Sequence, residues 1–317
     1  MISTLFKKLV YVGFWLSLRA GTLVLKISPR RFSFFFFDFI AGLGFYLFHG
    51  FRKRSGKNLR LALGEQLKPL EINEIVQNSL KNFFRDIVEM GIVFNASREE
   101  NCAEISLMGQ EHLAAALARG KGVIVLSAHL GNFFLVGTRL AFEGYPTSVL
   151  LNVRQGGHVL HLMDDYLGKI GQKAIHAKPR PQALRQLVRV LRGNELAVVI
   201  ADEYRSGEGI RVPFFGHTVL ARRGPATLAL RTGAAVLPIY LIRQENRRLK
   251  LIIEPEIEIL RSGRIQEDVE ENTLRITRWL ERTVRSYPDQ WNWMNIHWQP
   301  ASPSTSLKKD HAYKRLA

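Results

Sequence analysis

A histidine, two adjacent carboxylates and a pair of arginines are the side chains in this 317-residue chain whose types and settings point to chemistry. His129 follows the apolar run 122–128, which reads as a buried strand, and opens a Gly131-Asn132 turn. The unperturbed pKa of histidine lies near working pH. At the carboxyl end of a buried strand it suits a general base in the crevice where α/β proteins hold their ligands. A second apolar run, 196–200, leads into Asp202 and Glu203. In a parallel sheet both runs end at one edge, so Asp202 or Glu203 is expected to pair with His129 and hold its ring in a useful tautomer. The alternative for these acids is a local ion pair with Arg205 or a turn cap. Arg222 and Arg223 precede Gly224-Pro225, and proline suits the first turn of a helix. Cations beside a helix N-terminus make a favourable place for phosphate.

Other chemistries find little support. His158 and His161, with Asp164 and Asp165 nearby, imitate a metal cluster, but no second cluster completes a ligand set, so no metal is expected. Ser127 lacks the Gly-x-Ser-x-Gly elbow of a serine hydrolase. Neither phosphate-loop nor dinucleotide glycine patterns occur, so no nucleotide cofactor is expected. The single cysteine, Cys102, excludes an intrachain disulfide framework.

The elements that must position these residues alternate along the second half of the chain. Apolar, β-rich runs fall at 123–126, 148–153, 196–200, 235–242 and 249–253, with helical stretches at 158–170, 182–192 and 225–231 between them. This order predicts an α/β layer with a mostly parallel sheet flanked by helices. Residues 65–118 read as helical, with Pro69 in a first turn, and residues 271–286 as a late amphipathic helix.

The first fifty residues differ. The run 9–25 is broken only by Arg19 among strongly polar residues, and an aromatic-rich run, 32–51, follows. They read as a hydrophobic membrane-anchoring helix and a helix at the interface or against the main domain; a hydrophobic first helix of a soluble domain is the alternative. Arg52, Lys53, Arg54, Lys57 and Arg60 come next. Basic residues beside an apolar segment favour the cytoplasmic side and attract anionic head groups. The formal charge of +17 fits such a surface. No zinc-finger spacing or RNA-binding aromatic motif supports nucleic acid as a partner. The expected division is an anchor and interfacial helix at 1–51, an α/β domain at 52–300 and a flexible basic tail at 301–317.

Three blocks carry a family resemblance: His129-Leu-Gly-Asn-Phe-Phe134, the stretch from Gly209 to Pro238, and Trp291-Asn-Trp293 near the end. Together they resemble the lysophospholipid acyltransferase superfamily in its late lipid A (lauroyl/myristoyl) acyltransferase-like branch. That resemblance implies a membrane-bound acyltransferase moving a fatty acyl group from acyl carrier protein or acyl-CoA to a hydroxyl of a lipid A precursor or related glycolipid, on the cytoplasmic side of the bacterial inner membrane. It implies His129 as base, substrate contact by Asn132 and Arg154, an acyl-chain wall at Phe214 and Phe215 with a turn at Gly216, and acceptor phosphate at Arg222 and Arg223. The family carries an acid five residues after the histidine, and this chain has Phe134 there. Asp202 or Glu203 is therefore expected to take its place. Other readings stay open: a lipid-binding relative without catalysis, or a different glycolipid or lysophospholipid acceptor.

Overall fold

A run of five residues buried on both faces, Val123–Ser127 (β2), forms the centre of the molecule. Because side chains alternate across a strand, Val123 and Val125 join one apolar core and Ile124 and Leu126 the other. A computed structural model describes residues 28–64, 66–152, 158–204 and 209–299. The expected run 9–25 and tail 301–317 lie outside them.

Helices α1 (Arg30–Leu47), α2 (His49–Leu63) and α3 (Pro69–Asn95) lead into α4 (Arg98–Glu104), β1 (Ile105–Met108) and α5 (Gln110–Leu117) ahead of β2. After it come α6 (Phe134–Phe142), β3 (Thr147–Leu151), α7 (His158–Lys169), β4 (Lys173–His176), α8 (Arg180–Arg192) and β5 (Leu196–Ile200). A hairpin of β6 (Ile210–Phe214) and β7 (His217–Ala221) precedes α9 (Gly224–Thr232), β8 (Ala235–Arg243), β9 (Leu249–Ile253) and α10 (Ile265–Ser286). Seven strands make one sheet in the order β1-β9-β8-β2-β5-β3-β4. Every neighbouring pair is parallel except β8 with β9. The expected α/β layer is this sheet with helices on both faces.

One expectation is corrected. The helical reading of 65–118 breaks at Ser97, whose side chain and Glu100 close a reciprocal cap that starts α4. Within that stretch, β1 is a four-residue strand that ends at Gly109. Gly109 has φ 84°, and a Cβ there would stand 2.0 Å from the Ile253 carbonyl oxygen, so only glycine lets the chain pass β9. The run at 210–221, to which no element was assigned from sequence, is a hairpin turned by Phe215 and Gly216 at φ 50° and 75°.

The sheet forks next to its centre. β2 and β5 stay paired to Ser127–Ile200, and β3 and β4 to Leu151–His176. β3 and β5 pair only from Thr147–Leu196 to Val149–Val198. Beyond that point their carboxyl ends part.

The 32–51 run lies on α1 and the start of α2, with residue 51 inside α2. α1 packs along α3, joined by the Arg85–Asp38 ion pair at 2.6 and 2.7 Å. Among the described residues, no single helix is long and apolar enough to cross a membrane. α1 and α2 pass that test only as a pair bent by 84°.

Candidate active site

β2 delivers His129 to the sheet edge, and the turn after it is tightly built. Gly131 has φ 52°, and a Cβ there would stand 1.9 Å from the Leu241 carbonyl oxygen. Only glycine permits that close approach to β8. The main chain around His129 is held from the C-terminal segment: Asn292 N–H donates to the His129 carbonyl at 3.1 Å, and Gly131 N–H to that of Gln290 at 2.8 Å. β5 continues the ladder, Ala201 N–H donating to the Ser127 carbonyl at 2.9 Å, and so places Asp202 beside His129.

Asp202 receives three bonds, all at 2.8 Å. The His129 ring meets Oδ1 through Nδ1, while the His129 main-chain N–H and the Trp291 indole N–H donate to Oδ2. The carboxylate side chain is 2% exposed and the imidazole 22%. Burial alone would raise the Asp202 pKa, but the His129 charge and the donated bonds outweigh it and hold the carboxyl below its ordinary value. Asp202 therefore stays ionised at neutral pH and only accepts hydrogen bonds. Nδ1 must then be the donor, and in the neutral ring the basic lone pair sits on Nε2. This is the tautomer a general base needs.

His129 faces a cavity of about 1980 Å³. That volume exceeds the usual range of a site for one small molecule. The cavity enters the fork between β3 and β5 and touches helices on both faces of the sheet. Gly137, Val149 and Leu167 line it on the α6–α7 side, and Leu184, Leu187 and Leu228 on the α8–α9 side. Cations lie on its wall at Lys178, Arg180, Arg222 and Arg223. Leu47, Phe48 and Phe83 line its outer part. They are continuous with exposed apolar side chains of α1, namely Phe32, Phe35, Phe39, Leu43 and Tyr46.

The sequence profile described as bacterial lipid A biosynthesis acyltransferase matches residues 2–300. The chain belongs to that family. It is an acyltransferase of the lipid A biosynthesis type. Among its relatives is a phosphatidylinositol mannoside acyltransferase of Mycobacterium tuberculosis, 24% identical over 294 residues, or 91% of this chain and 87% of the relative. The phosphatidylinositol mannoside acyltransferase of Mycolicibacterium smegmatis is 24% identical over 62% of each chain. A lipid A biosynthesis acyltransferase of Haemophilus influenzae is 22% identical over 90% of this chain and 86% of its own.

In this acyltransferase the structure brings His129 together with Asp202, while Glu203 stands one residue further along the cavity wall. Asn152 Nδ2 lies 3.4 and 3.5 Å from the Glu203 carboxylate oxygens, a weak link across the fork. Phe134, where the resemblance leads one to expect an acid, is 41% exposed and lines the cavity. Its ring lies 4.0 Å from that of Phe133, which in turn stands 4.7 Å from the imidazole. Arg222 and Arg223 stand at the N-terminus of α9 and line the cavity. Arg154 lies outside the described residues.

Four expected substrate-site positions are placed elsewhere. Asn132 is fully buried, and its amide donates to the Asp86 carbonyl at 3.1 Å and to Glu89 at 2.9 Å. Phe214 and Phe215 are buried, Phe214 against Trp291 and Trp298 and Phe215 against Trp293. None of these four hairpin and turn positions, Gly216 included, lines the cavity. The sequence reading missed Lys178 and Arg180, which line the same cavity as Arg222 only through the fold, and it missed Trp291 as a donor to Asp202.

Proposed function

We propose that this acyltransferase moves a fatty acyl group from an acyl carrier protein or acyl-CoA thioester to a hydroxyl of a lipid A precursor or related glycolipid. The observation that carries the reading is the ionised, triply bonded Asp202 fixing His129 at the wall of a large apolar cavity. His129 Nε2 takes the proton of the acceptor hydroxyl as its oxygen attacks the thioester carbonyl carbon. Asp202 stabilises the imidazolium that forms. The tetrahedral intermediate collapses, the carbon–sulfur bond breaks, and the imidazolium returns its proton to the leaving thiolate. Ester and free thiol are the products.

The two arms of the cavity suit two substrates. The α6–α7 arm is apolar and fits the chain being transferred; Phe134 then serves as chain wall rather than as acid. Arg222 and Arg223, with Lys178 and Arg180, suit phosphate on the acceptor or donor. The relatives' names, phosphatidylinositol mannoside and lipid A, favour a lipid acceptor that carries sugar. The exposed apolar stripe of α1 beside the cavity and the basic α2 suit attachment to an anionic membrane, with the site on the cytoplasmic face of the inner membrane.

The test is acyl transfer by the detergent-purified protein from both thioesters to a lipid A precursor, a phosphorylated mannolipid and a lysophospholipid. Transfer to a sugar-bearing acceptor that vanishes in His129→Ala supports the reading. Transfer to lysophospholipid alone would replace the acceptor class, and transfer that survives His129→Ala would remove the mechanism.

A further inference from the structure

Behind the catalytic turn lies a buried ionic cluster for which the mechanism above has no use. Arg243 ends β8, and its side chain is 4% exposed. Its Nε and Nη2 grip both oxygens of Glu89 at 2.7 Å, Nη2 also donates to Asp86 at 2.7 Å, and Nη1 donates to Asn82 at 2.7 Å. Glu89 in turn accepts the Asn132 amide through Oε2, and Asn132 is three residues from His129. The Arg243 main chain exchanges two 2.8 Å bonds with the Gln290 side chain, whose own carbonyl receives the Gly131 N–H. Both ends of the His129 turn therefore lead back to Arg243.

A buried ion cluster stabilises a fold no better than apolar side chains of the same volume. Its merit is fixed geometry, since the planar guanidinium holds a carboxylate at two points. We propose that Arg243 and Glu89 are positioning residues: they hold Asn132, and through it set the angle at which His129 meets Asp202. The proposal rests on His129 as the base. Neither residue touches substrate. A displacement of about 1 Å at a catalytic group can cost up to a hundredfold in rate.

Glu89→Gln tests this, because it keeps shape and leaves Arg243 paired with Asp86. The expected result is a kcat lowered roughly ten- to hundredfold, with KM for the thioester within about twofold of wild type. Nitrogen-15 spectra of the labelled His129 ring should move from a single tautomer towards a mixture, read at neutral pH and assigned with His129→Gln. Asn132→Ala should reproduce both changes, and it serves alone if Glu89→Gln does not fold. A variant with a lower melting temperature but wild-type kcat and spectrum would overturn the proposal and leave a purely structural cluster. The spectra also separate the two readings. If the wild type transfers no acyl group, an altered ring spectrum still supports the positioning role and an unchanged one still sinks it.

Discussion

At the residue scale the decisive feature is which carboxylate holds His129. The motif resemblance leads one to expect an acid at position 134, yet the Nδ1 partner comes from the end of another strand, 73 positions on. Asp202→Asn leaves the shape intact but can offer Nδ1 an N–H, which favours the tautomer with its proton on Nε2. By comparison with other histidine–aspartate pairs, kcat should fall by roughly 10⁴. Glu203→Gln should cost much less, since Glu203 is on the cavity wall and not on the ring. Steady-state rates of the two variants side by side decide between the acids. Phe134→Asp should not restore Asp202→Asn, because the side chain at 134 faces the cavity, and a charge there should weaken binding of long-chain thioesters. If the double variant regains wild-type kcat, position 134 can still orient the ring.

The helices and strands that carry these residues show what the sequence made legible. The strands at 123–127, 196–200 and 249–253 were readable because each is an apolar run set between turn residues. β1 and β4 were not, being four residues long at the two edges of the sheet, each with only one fully buried residue. Parallel strands put Asp202 and Glu203 near His129 but did not choose between them, and the burial of Asn132 depended on α3, which no local pattern ties to β8. That contact has its own pH signature. Burial pushes the Asp86 carboxyl up to about 7 in spite of Arg243 beside it. The folded state then binds a proton more tightly than the unfolded chain, whose aspartates titrate near 3.8. Stability from this group is full below about pH 4 and is lost as pH rises to about 7. Asp86→Asn removes the dependence. Its melting temperature should gain on wild type between pH 4 and 7 and hold the advantage above, by an amount equivalent to a few kcal/mol at most. A constant difference across pH 4 to 8, measured by calorimetry, would mean that Asp86 does not titrate in this window.

On the scale of the whole molecule, the cavity and the apolar face of α1 share one side, and the basic residues of α2 follow directly in sequence. The proposed membrane attachment through this face has two separable parts. Apolar burial is insensitive to salt and scales with the area removed from water, at about 25 cal/mol per Å². Attraction of Arg52, Lys53 and Arg54 to anionic head groups contributes about 1 kcal/mol per residue and fades once salt shortens the screening length to a few ångströms. Phe35→Glu with Phe39→Glu should therefore reduce flotation with vesicles of any composition. Replacing the three basic residues by glutamine should reduce it only on anionic vesicles and only at low salt. Both should leave transfer to a detergent-dispersed acceptor close to wild type, since neither set touches His129 or Asp202. Full vesicle binding by the double glutamate variant would move the attachment away from α1, and residues 1–27 would then be the segment to delete. If the same variant also lost activity in detergent, the stripe would be part of the route by which lipid reaches the fork between β3 and β5, and its aromatic side chains would count as substrate contacts.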